Sequence, residues 1–466
     1  MSLLSQIQKL PRGTKLWVDD TGLETDRNGA MALASLFRQR HPEIRNKTVA
    51  IVVKAPMASV RALCALDGFA AALMMFDLDE FKRAPKPVAR LGADFLVTDD
   101  DDLCAPERLQ KSGVRATPVR LTHQSGPVPE ATDDVSEVEE VATSWVVPTS
   151  GTTAQPKLVG HSLASLSRAV KSDHRKGADI RWGLLYNLNR FAGIQVFLQA
   201  LMGGSLLVFP APDGDLSKSV RGFAKVGINA LSATPTLWRK LLMVPASEDL
   251  DLVRITLGGE IADGSVLKSL ASRYPGARVV HIYASTEAGV GFSVKDGLPG
   301  FPATMLQEAP LVDVRVRDDG MLLLRPKGQA RARYHNADEN LEDHEGFIET
   351  GDLVELKEDR YLFLGRENGS INVGGNKVHP EEVERTILQV DGVAMASVGA
   401  RKSPFTGTLV QAQVVAHPDH GDPSTLPETV MAHCKRHLAP FKVPVKVLLT
   451  DAIETSVSGK VTRGKL

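Results

Sequence analysis

From residue 47 onward the apolar positions fall into two alternating rhythms. KTVAIVVK is a β-branched run that predicts a strand, PMASVRALCALDGFAAAL predicts a helix, and MMFDLD and DFLVTDD predict further short strands. Strand and helix in alternation predict parallel α/β structure. An acidic, proline-containing stretch, PVPEATDDVSEVEE, reads as a surface connection before the next strand, TSWVVPTS. SLLVFP, INALSAT, VRITLGG and RVVHIYAST continue the pattern, several ending in small or hydroxylated residues. Ligands bind at such carboxyl ends in open α/β sheets. After residue 365 the rhythm changes to a unit of about 100 residues, the size of a small domain. It holds a turn-rich GRENGSINVGG, a helix from PEEVERTILQV, strands near AMASVGA and TLVQAQVVAH, and a helix near ETVMAHCKRHL. This predicts a separate small α+β domain.

Length and charge narrow the classes. At 466 residues the chain exceeds one ordinary core, so at least two domains are expected. With 55 basic against 56 acidic side chains there is no global field to attract nucleic acid or an anionic membrane. Cys64, Cys104 and Cys434 lack C-x-x-C spacing, which argues against a disulfide framework or zinc site. The twelve histidines, His161, His281 and His379 among them, show no metal spacing and receive no catalytic role. MSLLSQIQKLPRG turns polar quickly and no long apolar stretch follows, so a cytoplasmic location is the expectation.

The strongest chemical signal lies in VVPTSGTTAQPKLVGHS, residues 146–162. A strand runs into a loop of Thr149, Ser150, Gly151, Thr152 and Thr153, closed by Lys157. Glycine admits close approach of the backbone to anionic oxygens, hydroxyls and amides donate, and the lysine supplies charge, so the loop suits phosphate. The Walker spacing is absent, and a solvated Ser/Thr/Gly turn is the bland alternative.

TSGTTAQPK resembles the phosphate-binding signature of the adenylate-forming superfamily, which includes acyl-CoA synthetases, aryl-CoA ligases and peptide-synthetase adenylation domains. Other segments resemble that family's motifs in order: ALSATPTLWRKLL, LGGE at 257–260, YASTEAG at 283–289, ETGDL at 349–353, YLFLGRENGSINVGGNKVHPEEVE at 361–384, and SVSGKVTRGKL at the end. The resemblance implies a large N-terminal domain of α/β sheets flanked by helices, 1–365, and a small mobile α+β C-terminal domain, 366–466. It implies ATP, Mg²⁺ and a thiol as co-reactants of a small-molecule carboxylic acid. The thiol is expected to be coenzyme A, because no carrier domain is visible. Phosphopantetheine on an acyl carrier protein is the alternative.

Residue by residue, the resemblance makes Lys460 the mobile catalytic lysine and gives Thr286 and Glu287 catalytic positions, with Glu287 the magnesium ligand. Gly258, Gly259, Glu260, Tyr283, Ala284 and Ser285 would face adenine, with Tyr283 stacking on it or flanking it, while Asp352 and Arg366 would hold the ribose. The acid pocket would be drawn from Arg190, Phe191, Gly193, Ala284, Gly289 and Gly291, the hinge would be Asn368, and Gly374 and Gly375 would line the thiol tunnel.

The chain departs from the pattern at Ala154, Leu158 and Ala284, where glycine is usual, at Asn368, where the hinge is usually acidic, and at Arg190, which stands in place of a histidine. Ala284 favours a short or slim acid, and small aryl or short-to-medium acyl acids are expected. Arg190 is left with two roles, pairing with a substrate group or with a pocket carboxylate. A non-catalytic ligand-binding member and a kinase-like phosphoryl transferase are the rival classes. The intact Lys157, Glu287, Asp352, Arg366 and Lys460 argue against the first, and the missing kinase motifs against the second.

Overall fold

The computed structural model describes residues 1–19, 22–121, 139–149, 157–335, 340–403, 407–456 and 459–462. Ser150, Gly151, Thr152 and Thr153 lie outside the described residues. The chain folds into two compact units, each assembled from separate stretches of sequence. One combines Met1–Ser232, Ser285–Val290 and Pro326–Asp343, and the other Ala233–Ala284, Gly291–Arg325 and His344–Leu466.

In the first unit a seven-stranded sheet runs in the order Arg333–Tyr334, Leu158–His161, Ser144–Pro148, Ala72–Asp77, Thr48–Val53, Phe95–Thr98, Thr117–Arg120. Its middle strands pair in parallel. The β-branched run over Thr48–Val53 is buried from Val49 on, as a strand covered on both faces must be. Leu158–His161 returns antiparallel to Ser144–Pro148. A second sheet of this unit orders Ala230–Ala233, Arg181–Leu184, Leu206–Val208, Lys15–Val18 and Glu24–Asp26.

The helix expected over PMASVRALCALDGFAAAL stops early, at Pro56–Leu66. Gly68 adopts φ +79°, and a Cβ there would sit 2.5 Å from that of Ser2, so the chain turns at Asp67 and Gly68 and its last residues open the strand Ala72–Asp77. Asp67 also ties elements together. Its buried carboxylate accepts from Leu3 N at 2.7 Å and from Trp145 Nε1 at 2.7 Å, joining the N-terminal helix to the strand that leads into the phosphate-loop segment.

In the second unit Arg254–Gly258 and Arg278–Ser285 pair in parallel, with Gly289–Val294 beside them. A five-stranded sheet follows in the order Phe301–Pro302, Arg360–Arg366, Ile348–Lys357, Met321–Pro326, Val312–Val316. Beyond it the hairpin Ile371–Val373 and Asn376–Val378, the sheet Val393–Ser403, Gly407–Ala416 and Lys446–Leu449, and the helices Pro380–Ile387 and Leu426–His437 share a hydrophobic core drawn from Ile371 to Val447. Among the described residues no helix is long and apolar enough to cross a membrane.

Candidate functional site

Four clusters of candidate side chains form, two in each unit. At the mouth of the hairpin in the first unit, Thr149 N donates to Lys157 O at 2.8 Å, so these two candidates face each other. The Lys157 ammonium lies 4.7 Å from the centre of the Tyr334 ring and donates to its hydroxyl at 3.3 Å.

The second cluster gathers Thr286, Glu287, Gly289 and Phe191 around two residues that sequence reasoning did not single out as functional, His161 and Arg168. His161, 2% exposed, makes a 2.7 Å contact from Nε2 to the carbonyl oxygen of Thr286, and its Nδ1 lies 3.0 Å from Ser165 Oγ. A carbonyl only accepts, so Nε2 carries the proton and Nδ1 accepts from Ser165. Burial pushes the imidazole down to about 4 against the help of that carbonyl, which keeps it neutral. The signal available in the sequence was its place, closing the strand after the phosphate loop, and not any metal spacing. Arg168 donates from Nη2 to Ala288 O at 2.7 Å and lies against Gly289, where a Cβ would sit 3.1 Å from that nitrogen. Gly289 takes φ +74° and holds this close approach open. Ser285 Oγ accepts from Ala288 N at 3.0 Å and rounds off the turn.

Arg190 and Gly193 of the expected acid pocket have protein partners. Arg190 pairs with Glu80 at 2.5 Å, and Glu80 also accepts from Asn189 Nδ2 at 3.1 Å. Of the two roles open to Arg190 the structure displays the carboxylate partner, 110 residues away in sequence and supplied by the first turn of the helix Leu78–Arg83. At Gly193 a Cβ would fall 2.1 Å from Asn187 O, so this glycine serves the packing of the helix Phe191–Gly203 onto the turn before it.

In the second unit Asp352 is clasped from two sides. Tyr283 donates its hydroxyl to Oδ2 at 2.6 Å, and Arg366 donates Nε to Oδ1 at 3.2 Å. The strand register sets Asp352 opposite Arg366, while Tyr283 arrives from a separate sheet. Burial, then the neighbouring carboxylate, hold the phenol well above its ordinary value, so it remains a donor. The Tyr283 ring stacks with Phe292 at 5.2 Å and with Phe363 at 5.1 Å, nearly parallel to both. The ring thus packs among protein rings while its hydroxyl holds Asp352. Gly291 fits beneath it, since a Cβ there would lie 3.2 Å from Tyr283 O. Ala284 follows in the strand Arg278–Ser285, which is partly exposed from Val279 onward.

The fourth cluster is built around Lys460. Its Cε lies 3.2 Å from where a Cβ of Gly259 would stand, and Gly259, at φ +82°, leaves that space. Glu260 fastens the arrangement: Oε2 accepts from Thr236 N at 3.0 Å and Oε1 from Val461 N at 2.9 Å. Thr234 adds a donor to Gly459 O at 2.6 Å, and its hydroxyl also caps the helix Pro235–Leu242. Gly258, Gly259, Glu260 and Lys460 are therefore neighbours. Glu260, whose backbone is expected to supply an edge to adenine, has both carboxylate oxygens bonded by backbone amides.

Asn368 is exposed in the turn Glu367–Gly369. Gly374 and Gly375, at φ +57° and +92°, form the two-residue tip of a hairpin, with open space where a Cβ would point. Among the described residues no group of three or more His, Cys, Asp or Glu could hold a metal ion. Magnesium takes one or two protein carboxylates and completes its shell with water and phosphate oxygens, so the half-buried Glu287 suits it as a single protein ligand.

Solved structures share this fold over nearly the whole chain. An anthranilate CoA ligase, AuaEII, in complex with anthranoyl-AMP superposes with a TM-score of 0.80 at 16% identity, covering 99% of this chain and 95% of that one. ATP-bound MatB from Rhodopseudomonas palustris gives 0.79 at 19% identity, covering 99% and 97%. The class is thus the mixed α/β architecture with a large N-terminal and a small C-terminal domain. The model of the AMP-binding enzyme family matches residues 55–330, and that of the AMP-binding enzyme C-terminal domain residues 382–460. The chain belongs to this family, the adenylate-forming superfamily. Human mitochondrial acyl-coenzyme A synthetase ACSM5 is 27% identical over 348 residues, 68% of this chain and 59% of its own length. A methyl-dioxo-octahydroindenyl-propanoyl:CoA ligase of Rhodococcus jostii is 29% identical over 358 residues, covering 72% and 65%. The matched region is less than two thirds of the length of either relative.

Proposed function

We propose that the protein is an AMP-forming acid–thiol ligase, in which a carboxylic acid attacks the α-phosphorus of ATP to give acyl-AMP and pyrophosphate, and the acyl group then passes to the thiol of coenzyme A with release of AMP. The observation that carries this is the seating of Lys460 on the Gly259 turn by Glu260 and Thr234. A cation tethered at that point is suited to stabilise negative charge developing between an acid carboxylate and an α-phosphate. Asp352, oriented by Tyr283 and Arg366, accepts from the ribose hydroxyls. Lys157 and the Thr149–Lys157 loop receive the leaving pyrophosphate. Glu287, with Thr286 anchored by His161, would hold magnesium, which supplies charge neutralisation on the phosphates when bound. Domains of residues 1–365 and 366–466, swivelling at Asn368, separate the two half-reactions. The acid is a small aryl or short-to-medium acyl acid. The anthranilate named for one solved relative is a small aryl acid, whereas the bicyclic propanoyl acid named for the Rhodococcus relative is bulkier than this range. The cytoplasmic location is part of the same proposal.

The test is to incubate the purified protein with ATP, Mg²⁺ and a panel of aryl, fatty, hydroxy and dicarboxylic acids, following pyrophosphate. Free coenzyme A and candidate carrier proteins are then added and the products weighed. Acid-dependent pyrophosphate and an acyl-CoA mass are expected. An acyl-carrier mass without acyl-CoA would move the acceptor to the carrier, and no acid-dependent pyrophosphate would overturn the proposal.

A further inference from the structure

Arg168 follows the short helix Leu163–Leu166, just beyond the strand that closes the phosphate loop, and lies against Gly289 and near Phe191. Among the described residues only its Nη2 donors are engaged, on Ala288 O at 2.7 Å and, more loosely, on Val290 O at 3.5 Å. Its Nε is buried without a partner among the described residues. Among the described residues no carboxylate pairs with it, and the charge that acts on it is the like-signed Arg331, which has its own partner in Glu342 at 2.8 Å. A guanidinium offers five donors in a planar fork, and half-burying one without an anion carries a desolvation cost. A purely structural arginine gains a counter-ion or a full set of carbonyls. Arg190, at the start of the neighbouring helix, has that in Glu80.

We propose that Arg168 is the specificity-determining cation of the acid pocket, and that it selects acids carrying a second oxygen acceptor at the end away from the activated carboxylate, a carboxylate above all. This rests on the ligase proposal and on the placing of Phe191 and Gly289 in the acid pocket. His161, neutral beside it, adds no competing charge. The same fork serves a distal carboxylate by a charge-assisted bidentate contact and a keto oxygen by a single weaker one.

Three acids of matched length separate these cases: hexanoic, 5-oxohexanoic and adipic acid, compared as kcat/KM for pyrophosphate release by the wild-type protein, Arg168→Lys and Arg168→Gln. Wild type is expected to favour adipic over hexanoic acid by about 30-fold or more, the scale of a buried charged pair, with 5-oxohexanoic acid between. Arg168→Gln should bring the adipic-to-hexanoic ratio close to one, and Arg168→Lys should keep part of it. Equal or better use of hexanoic acid by the wild type overturns the proposal without any variant. So does an equal loss for all three acids in Arg168→Gln, which would mark a structural arginine. Activation of adipic and hexanoic acids alike with no dependence on Arg168 sinks this inference and leaves the ligase proposal standing. A wild type that releases pyrophosphate with no acid of the wider panel takes both down.

Discussion

Lys460 and Glu260 divide the labour at the terminal segment, one carrying charge and the other holding it in place. Loss of a donor that acts in the transition state costs on the order of 10² to 10³ in rate, so Lys460→Ala should show a fall of that size in acyl-adenylate formation. Glu260→Gln keeps the size of the side chain but turns an amide NH₂ toward one of the two backbone donors, Thr236 N or Val461 N. A smaller fall of about 5-fold is expected there, one hydrogen bond's worth of about 1 kcal/mol. Both variants should convert pre-made acyl-adenylate and thiol at close to the wild-type rate. Equal damage to both half-reactions would remove Lys460 from the adenylation step. At the proposed ribose end, Tyr283→Phe deletes the donor on Asp352 and leaves the stacked ring in place. ATP affinity by calorimetry should weaken about 5-fold, the scale of one hydrogen bond of about 1 kcal/mol, whereas Asp352→Ala should weaken it further. A folded Asp352→Ala variant that binds ATP as wild type does would end the ribose assignment.

At the scale of elements, His161 fastens the strand Leu158–His161 to the segment that carries Thr286 and Glu287. In the folded protein its imidazole is pushed down to about 4, below its ordinary 6.5. Over that interval the unfolded chain binds the extra proton. The stabilisation is therefore complete above about pH 6.5 and is lost as the pH falls toward 4, by about 3 kcal/mol at the limit. Asp67, raised to about 6 by burial, titrates in the opposite sense over an overlapping range. Comparison with His161→Gln isolates the histidine: urea midpoints of wild type should fall more steeply between pH 7 and 4.5 than those of the variant. Parallel slopes would show that the imidazole is not held neutral by the fold.

For the whole molecule, the test concerns movement. Asn368→Pro restricts φ in the turn Glu367–Gly369, between the five-stranded sheet and the C-terminal core. If a swivel there separates the half-reactions, the variant should form acyl-adenylate near the wild-type rate and transfer it to coenzyme A several-fold more slowly, measured by single-turnover quench. A variant that slows neither step would move the hinge elsewhere.

Much of this molecule is determined locally. The β-branched run at Thr48–Val53, the Gly-Gly tip at Gly374 and Gly375, and the change of rhythm after residue 365 follow from side-chain shape and backbone freedom within a few residues, so the sequence by itself announces them. The motifs behave in the same way, since Lys460, Asp352 and Glu287 stand in short segments whose residue types suit one chemistry. Tertiary structure decided the partners. Glu80 for Arg190, Thr286 for His161 and Glu260 for the segment around Lys460 come from residues 110, 125 and 201 positions away. The ring of Tyr283 is held by Phe292 and Phe363, and packing across the fold buries the Nε of Arg168 without a partner among the described residues. A short segment can fix its own dihedrals and hydrophobic face, but which distant carboxylate or carbonyl meets a charge depends on sheet order and packing across the fold. No local pattern encodes that.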